Sequence, residues 1–324
     1  MNTTTGKPHV VLGAGPAGRT LVDELLARGL RVRHVNRTPI DDAPAGVETV
    51  TADISSPERA VAATEGAATI YHAVNVPYHL QVEAIPNIGR AVLTAAHRND
   101  ARLVVLDTLY PYGEADGAAI TEQTPWEATS RKGRMRAALD RAYLDAHHTG
   151  EARVALGRAA DFYGPRVVNS TLGGAFFPAV LTGEPALGFG DITLPHSYSY
   201  LPDIATGLVD LGTTTDEAAL GRVWHLPTVP AVSTEHIHAL VERIIGGGIT
   251  TRVLDQPVAT GPFDERFMSE YAEIFYQHLV PQNMVSTPFE RHFDRRPTPL
   301  VDGLRATVEW YRDFLTARQD TRNP

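Results

Sequence analysis

A doubly wound, mostly parallel α/β sheet is the architecture this chain predicts, and two observations predict it. Strand-like and helix-like segments alternate over the first 110 residues, and a glycine-rich turn joins the first strand to the first helix. "HVVLG" (9–13) reads as a buried strand, and "PAGRTLVDELLARG" then sets Ala17, Leu21 and Leu25 at helical spacing, with Gly29 suited to the helix end. "RVRHVN" (31–36), "GVETVTADI" (46–54) and "ATIYHAV" (68–74) follow as strands, the last two separated by a short helix from Pro57. A helix over 84–98 leads to a fifth strand, "RLVVLD" (102–107), and "ARVALGRA" (152–159) is a sixth. Pro/Gly-rich loops then run to residue 195. A helix (203–212), a strand "RVWHL" (222–226), a helix from Ser233 and a C-terminal helix (301–317) complete the chain. No internal repeat, low-complexity run or linker interrupts it. One continuous unit is expected, with residues 1–165 mainly forming the sheet and 166–324 mainly a smaller C-terminal lobe whose segments return to the core.

The composition narrows the function classes. Apolar residues make up 43% and charged residues 21% of 324, ordinary for a soluble globular protein. A net charge of −9 argues against non-specific nucleic-acid binding but leaves room for a local positive site that holds an anionic cofactor. With no cysteine there is no disulfide framework, thiolate zinc site or cysteine nucleophile, and a reducing compartment is expected. The start "MNTTTGKPHVVLGAG" carries no secretory pattern, and no stretch approaches the roughly 20 apolar residues of a membrane span, so a cytoplasmic location is expected. The histidines suggest no metal: His236 and His238 would point to different helix faces, and His147-His148 lack carboxylates at ligand spacing. No G-x-S-x-G hydrolase elbow is present.

"GAGPAG" sets Gly13, Gly15 and Gly18 in G-x-G-x-x-G spacing, with Pro16 and Ala17 opening the helix. The first glycine permits the tight turn, the second lets backbone approach a pyrophosphate, and the third lets helix and strand pack closely. After a strand and before a helix, this is the Rossmann-type dinucleotide fingerprint. At the end of the second strand, a free ribose 2′-hydroxyl would call for Asp or Glu. The chain has Asn36-Arg37-Thr38 instead, and a guanidinium suits a 2′-phosphate, which favours NADP(H) over NAD.

From here the chain resembles the extended short-chain dehydrogenase/reductases, the NAD-dependent epimerase/dehydratase-like family, over nearly its whole length. "TADIS" (51–55) is similar to the family's adenine-contacting stretch, with Asp53 as its acid, and "YHAVNVPY" (71–78) resembles the strand end that lines the nicotinamide side, here Ala73, Val74 and Asn75. "LDTLYPYG" (106–113) resembles the Ser/Thr-x-x-x-Tyr-Gly element and puts Thr108 at the catalytic hydroxyl position. "GRAADFYGPR" (157–166) and "YSYLPDIATGL" (198–208) are similar to later landmarks; segments around them line the family's substrate cleft, which makes Phe162, Tyr163, His196 and Tyr198 substrate-contact candidates, with Tyr78 beside them. The departures are a G-x-G-x-x-G rather than G-x-x-G-x-x-G fingerprint, and Asn87 one position off the family's Asn. The resemblance implies hydride transfer between a nicotinamide and a carbonyl, imine or alcohol carbon of a small organic molecule. That molecule is the expected partner; a homodimer is compatible with the reading, and neither nucleic acid nor membrane is expected.

One landmark is missing. Where the family carries its Tyr-x-x-x-Lys helix, "TSRKGRMRAALD" (129–140) offers Lys132 and, one turn on, Arg136. An i, i+4 pair shares a helix face, so both would look toward the cofactor. Lys132 as acid, a phenol from Tyr110 or Tyr112, and Asp107 as acid or as an anchor for Lys132 are the replacements. Arg136 suits a ribose or phosphate contact. Two other readings stay open: a catalytically silent NADP-binding sensor, or a cofactor-dependent non-redox isomerase or cyclase.

Overall fold

The computed structural model describes residues 6–115, 117–261 and 263–320. They form two compact units. The first comprises the chain up to Pro111, Ala128–Arg158 and Ile204–Leu226; the second comprises Tyr112–Glu127, Ala159–Asp203 and the chain from Pro227. The division therefore falls after Arg158 rather than at 165. One segment not expected in the second unit, 112–127, belongs there because Ala119–Ile120 pairs in parallel with Asn283–Met284.

A seven-stranded parallel sheet forms the first unit. Its spatial order is Val223–His225, Arg153–Arg158, Arg102–Asp107, Thr69–His72, His9–Leu12, Val32–Asn36, Glu48–Thr51. The order reverses between His9–Leu12 and Thr69–His72, and in open α/β sheets a ligand binds in the crevice outside the strand ends at such a point. The central strands are buried along their length, as helices on both faces require. The Rossmann-type expectation holds. Expected boundaries shift modestly: the third strand shortens to Glu48–Thr51, and the helix expected from 84 begins at Gln81.

Helix Arg131–His148 sits close on helix Gln81–Arg98 because Gly89 has no side chain. A Cβ there would lie 2.6 Å from the Tyr143 hydroxyl and 2.8 Å from Leu139. Beneath the same helix is a buried ionic cluster. Arg158 donates to Asp107 at 2.7 Å and to Asp140 at 2.6 Å.

The second unit packs helices Thr234–Ile245 and Leu300–Asp320 around Phe176, Phe177, Tyr163 and Tyr198. The stretch expected as loops to 195 contains the strands Asp161–Tyr163 and Ala186–Phe189 and the helix Phe177–Thr182. The strands were hidden because each is three or four residues long, too short for a period to show. Among the described residues, no helix is long and apolar enough to cross a membrane.

Candidate active site and dinucleotide site

Each fingerprint glycine has a separate steric reason. Gly13 sits at φ +100°, where a Cβ would come within 3.1 Å of the Ala73 carbonyl and 3.2 Å of Val74. Gly18 faces the Gly13 carbonyl, and a Cβ there would lie 1.8 Å from that oxygen. Gly15, which starts helix Pro16–Ala27, has no atom within 4 Å of the Cβ it lacks, so its face is open to an approaching phosphate. No side chain caps that helix start and its first turn holds no acid, which leaves its dipole available to an anion. His34, not singled out from the sequence, bonds the Gly13 carbonyl at 2.9 Å. Burial lowers its pKa, so the neutral ring donates through Nε2 and pins the turn.

Beyond the second strand, a cavity of about 590 Å³ is lined by Arg37, Thr51, Ala52, Asp53 and Arg59 among others. Asn36 donates to the Thr38 carbonyl and hydroxyl, both at 3.0 Å, so it shapes the turn that presents the exposed Arg37 and Thr38. Asp53 accepts from the Ser55 hydroxyl at 2.7 Å and its N–H at 3.1 Å. These bonds, with Arg37 and Arg59 nearby, hold its carboxyl below the usual range. Arg59, in the first turn of helix Pro57–Ala63, was missed in the sequence because it lies outside the fingerprint. Past Ala73 and Val74, Asn75 accepts from the Gln81 amide at 3.0 Å. Asn87 is on the helix surface, donating to the Glu83 carbonyl and accepting from Arg90.

Three residues assemble at the start of helix Arg131–His148. The Tyr110 and Tyr78 hydroxyls are 3.2 Å apart, and the Lys132 Nζ lies 5.7 Å from the Tyr78 ring centroid. Tyr78, expected as a substrate contact, is thus part of this cluster. Lys132 is wholly buried at the second position of its helix, whose N-cap Ser130 accepts from Gly133 N–H at 3.1 Å. Gly133 permits the arrangement, since a Cβ there would lie 2.6 Å from the Tyr110 carbonyl. Thr108 Oγ1 accepts from Tyr110 N–H at 3.4 Å.

Two expected roles meet other partners. Arg136 also reaches toward Asp107, 3.9 Å from Nη1 to Oδ1. Asp107 is fully buried in its ion pair with Arg158, which makes its carboxylate a structural anchor instead of a proton source or a tether for Lys132. Burial and the Asp107 charge push the Asp140 carboxyl well above the ordinary range. Strand alternation separates the other substrate candidates. Tyr163 and Tyr198 belong to the second unit's apolar core, and the Tyr198 hydroxyl bonds Thr234 at 2.7 Å. Phe162 lies between Asp161 and Tyr163 and points to the opposite face. His196 is buried against Asp161, with Nε2 3.1 Å from Oδ2.

The sheet order, the fingerprint turn and the cavity beyond it define a dinucleotide-binding enzyme fold of the short-chain dehydrogenase/reductase kind. The model of the NAD dependent epimerase/dehydratase family matches residues 9–226, and the chain belongs to that family. No curated protein sequence matches it. Among solved structures it is similar to MoeE5 in complex with UDP-glucose and NAD, with a TM-score of 0.76, 21% identity, and 95% of this chain and 99% of that one covered. It is similar to DesIV, a dTDP-glucose 4,6-dehydratase from Streptomyces venezuelae with NAD and TYD bound, at 0.75 and 20%, covering 94% and 97%. A UDP-N-acetylglucosamine 4-epimerase from Methanobrevibacter ruminantium M1 gives 0.76 and 16%, covering 95% and 99%. At these identities the likeness is one of fold.

Proposed function

We propose that the chain is an NADP-dependent oxidoreductase of the epimerase/dehydratase type, acting on a carbonyl, imine or alcohol carbon of a small organic substrate. The observation that carries this reading is the pair of guanidiniums, Arg37 and Arg59, lining the cavity beyond the second strand. Each offers a planar fork of donors to a 2′-phosphate, and Asp53, already bonded by Ser55, does not fill the role of a 2′-hydroxyl acceptor from the second strand. The open face of Gly15 fits the pyrophosphate. When bound, NADP(H) gives or takes the hydride.

The chain's own groups handle the proton. Thr108 holds the substrate oxygen, and the Tyr110 hydroxyl passes a proton to or from it. The Tyr78 hydroxyl, 3.2 Å away, connects Tyr110 onward. Lys132, buried against Tyr78, stabilises the negative charge left when the phenol pair gives up its proton. A tyrosine–cation pairing is thereby rebuilt from two elements, the tyrosine on the turn after a strand and the cation on the helix. The test is NADPH consumption across a panel of carbonyl and imine compounds, followed by Tyr110→Phe on any that react. Turnover that falls by about 10²–10⁴ in the variant, the usual worth of general acid catalysis, supports the reading. Tight NADPH binding with no hydride transfer to any member of the panel contradicts it.

A further inference from the structure

We infer that Asp161, His196 and His278, all within the second unit, form a binding site for a divalent transition-metal ion of the zinc class. One nitrogen from each imidazole and one carboxylate oxygen lie within 4.8 Å of one another. They come from three separate elements: the strand Asp161–Tyr163, the strand Pro195–His196 and the helical turn Ala272–His278. This departs from the sequence-based expectation of no metal, since residues 161, 196 and 278 show no ligand spacing along the chain.

The donor set, two imidazoles and a carboxylate, is the chemistry that holds zinc in sites that keep an open position. The two rings stack at 20° with centroids 5.1 Å apart, and the Asp161 carboxylate meets His196 Nε2 at 3.1 Å. The histidine side is enclosed, while the Asp161 side chain keeps 21% exposure. The supporting shell is also in place. Tyr271 Oη is 2.5 Å from His278 Nε2, which fixes the ring. Such second partners orient ligating imidazoles. Gly190, at φ +62°, lets the His278 backbone seat against it, because a Cβ there would lie 2.2 Å from the His278 carbonyl. Phe189 and Phe275 flank the ring with centroids 5.8 and 5.7 Å away.

The experiment uses the full chain after chelator treatment. ZnCl2 is titrated by calorimetry, and CoCl2 by its visible absorption, which reports the coordination sphere. One equivalent of Zn2+ and a tetrahedral-type Co2+ band are expected. Both should be lost in His278→Gln and in the isosteric Asp161→Asn, while Tyr271→Phe should weaken Zn2+ binding by about 10- to 100-fold. Thermal melts and near-UV circular dichroism confirm which variants are folded, and Asp161→Asn serves if His278→Gln is not. No Zn2+ binding by the wild-type chain, or wild-type binding retained in a folded Asp161→Asn, overturns the proposal.

Discussion

Lys132 is wholly buried in the first turn of its helix, with its Nζ 5.7 Å from the Tyr78 ring centroid. Replacing it with Met, of similar length and apolar, keeps the packing volume, so the variant should still fold and melt cooperatively. Turnover should nevertheless fall by about 10²–10⁴ with NADPH affinity retained. Melting scans beside steady-state kinetics check both halves, and a large drop in melting temperature would make Lys132 structural. At this scale the sequence located the helix and its cation. It did not show that Tyr110 meets Tyr78 beside Lys132, because that depends on Gly133 letting a helix start approach a turn. Nor did it show that Asp107 is tied up in the ionic cluster, since Arg158 reaches it from a neighbouring strand.

The element that was most legible is the strand–turn–helix of residues 9–27, because its function needs particular glycines at fixed spacing. The structure separates their roles, and two variants test the separation. Gly18→Ala places a methyl 1.8 Å from the Gly13 carbonyl, so the turn or the helix must move, and a clear fall in melting temperature is expected. Gly15→Ala meets nothing within 4 Å at an ordinary φ of −73°, so stability should hold while NADPH affinity drops as the methyl enters the phosphate's approach. Melting curves with and without NADPH distinguish them; equal behaviour of the two variants would contradict the assignment. His34 could not be read in advance, because an alternating strand pattern does not tell a buried imidazole that bonds a turn from one that fills a core. Short strands such as Pro195–His196 were equally opaque, for two residues carry no period.

Across the whole molecule, buried neutral histidines set the acid limit. Burial, with Arg136 nearby, brings His72 in the first unit to about 3, and burial brings His238 in the second to about 4. Both values lie below the unfolded value of 6.5. The unfolded chain therefore takes up protons first as pH falls. The stability from keeping these rings neutral is complete above pH 6.5 and is lost progressively down to about pH 3–4. Each unit of such a shift is worth about 1.4 kcal/mol, so urea midpoints should fall steadily between pH 7 and 4, and His238→Gln should flatten the decline. The doubly wound sheet was legible from the β–α alternation. The division into units was less so, because segments 112–127 and 204–226 leave and rejoin in three dimensions what is continuous along the chain. The central claim, that the cavity holding Arg37 and Arg59 selects the 2′-phosphate, is tested most directly by binding isotherms for NADPH and NADH on the wild-type chain and on Arg37→Glu. A charge-assisted contact of about 1.5–3 kcal/mol predicts an NADPH preference of about 10- to 150-fold, shrinking or reversing in the variant. Equal affinities for the two cofactors in the wild-type chain would contradict the account.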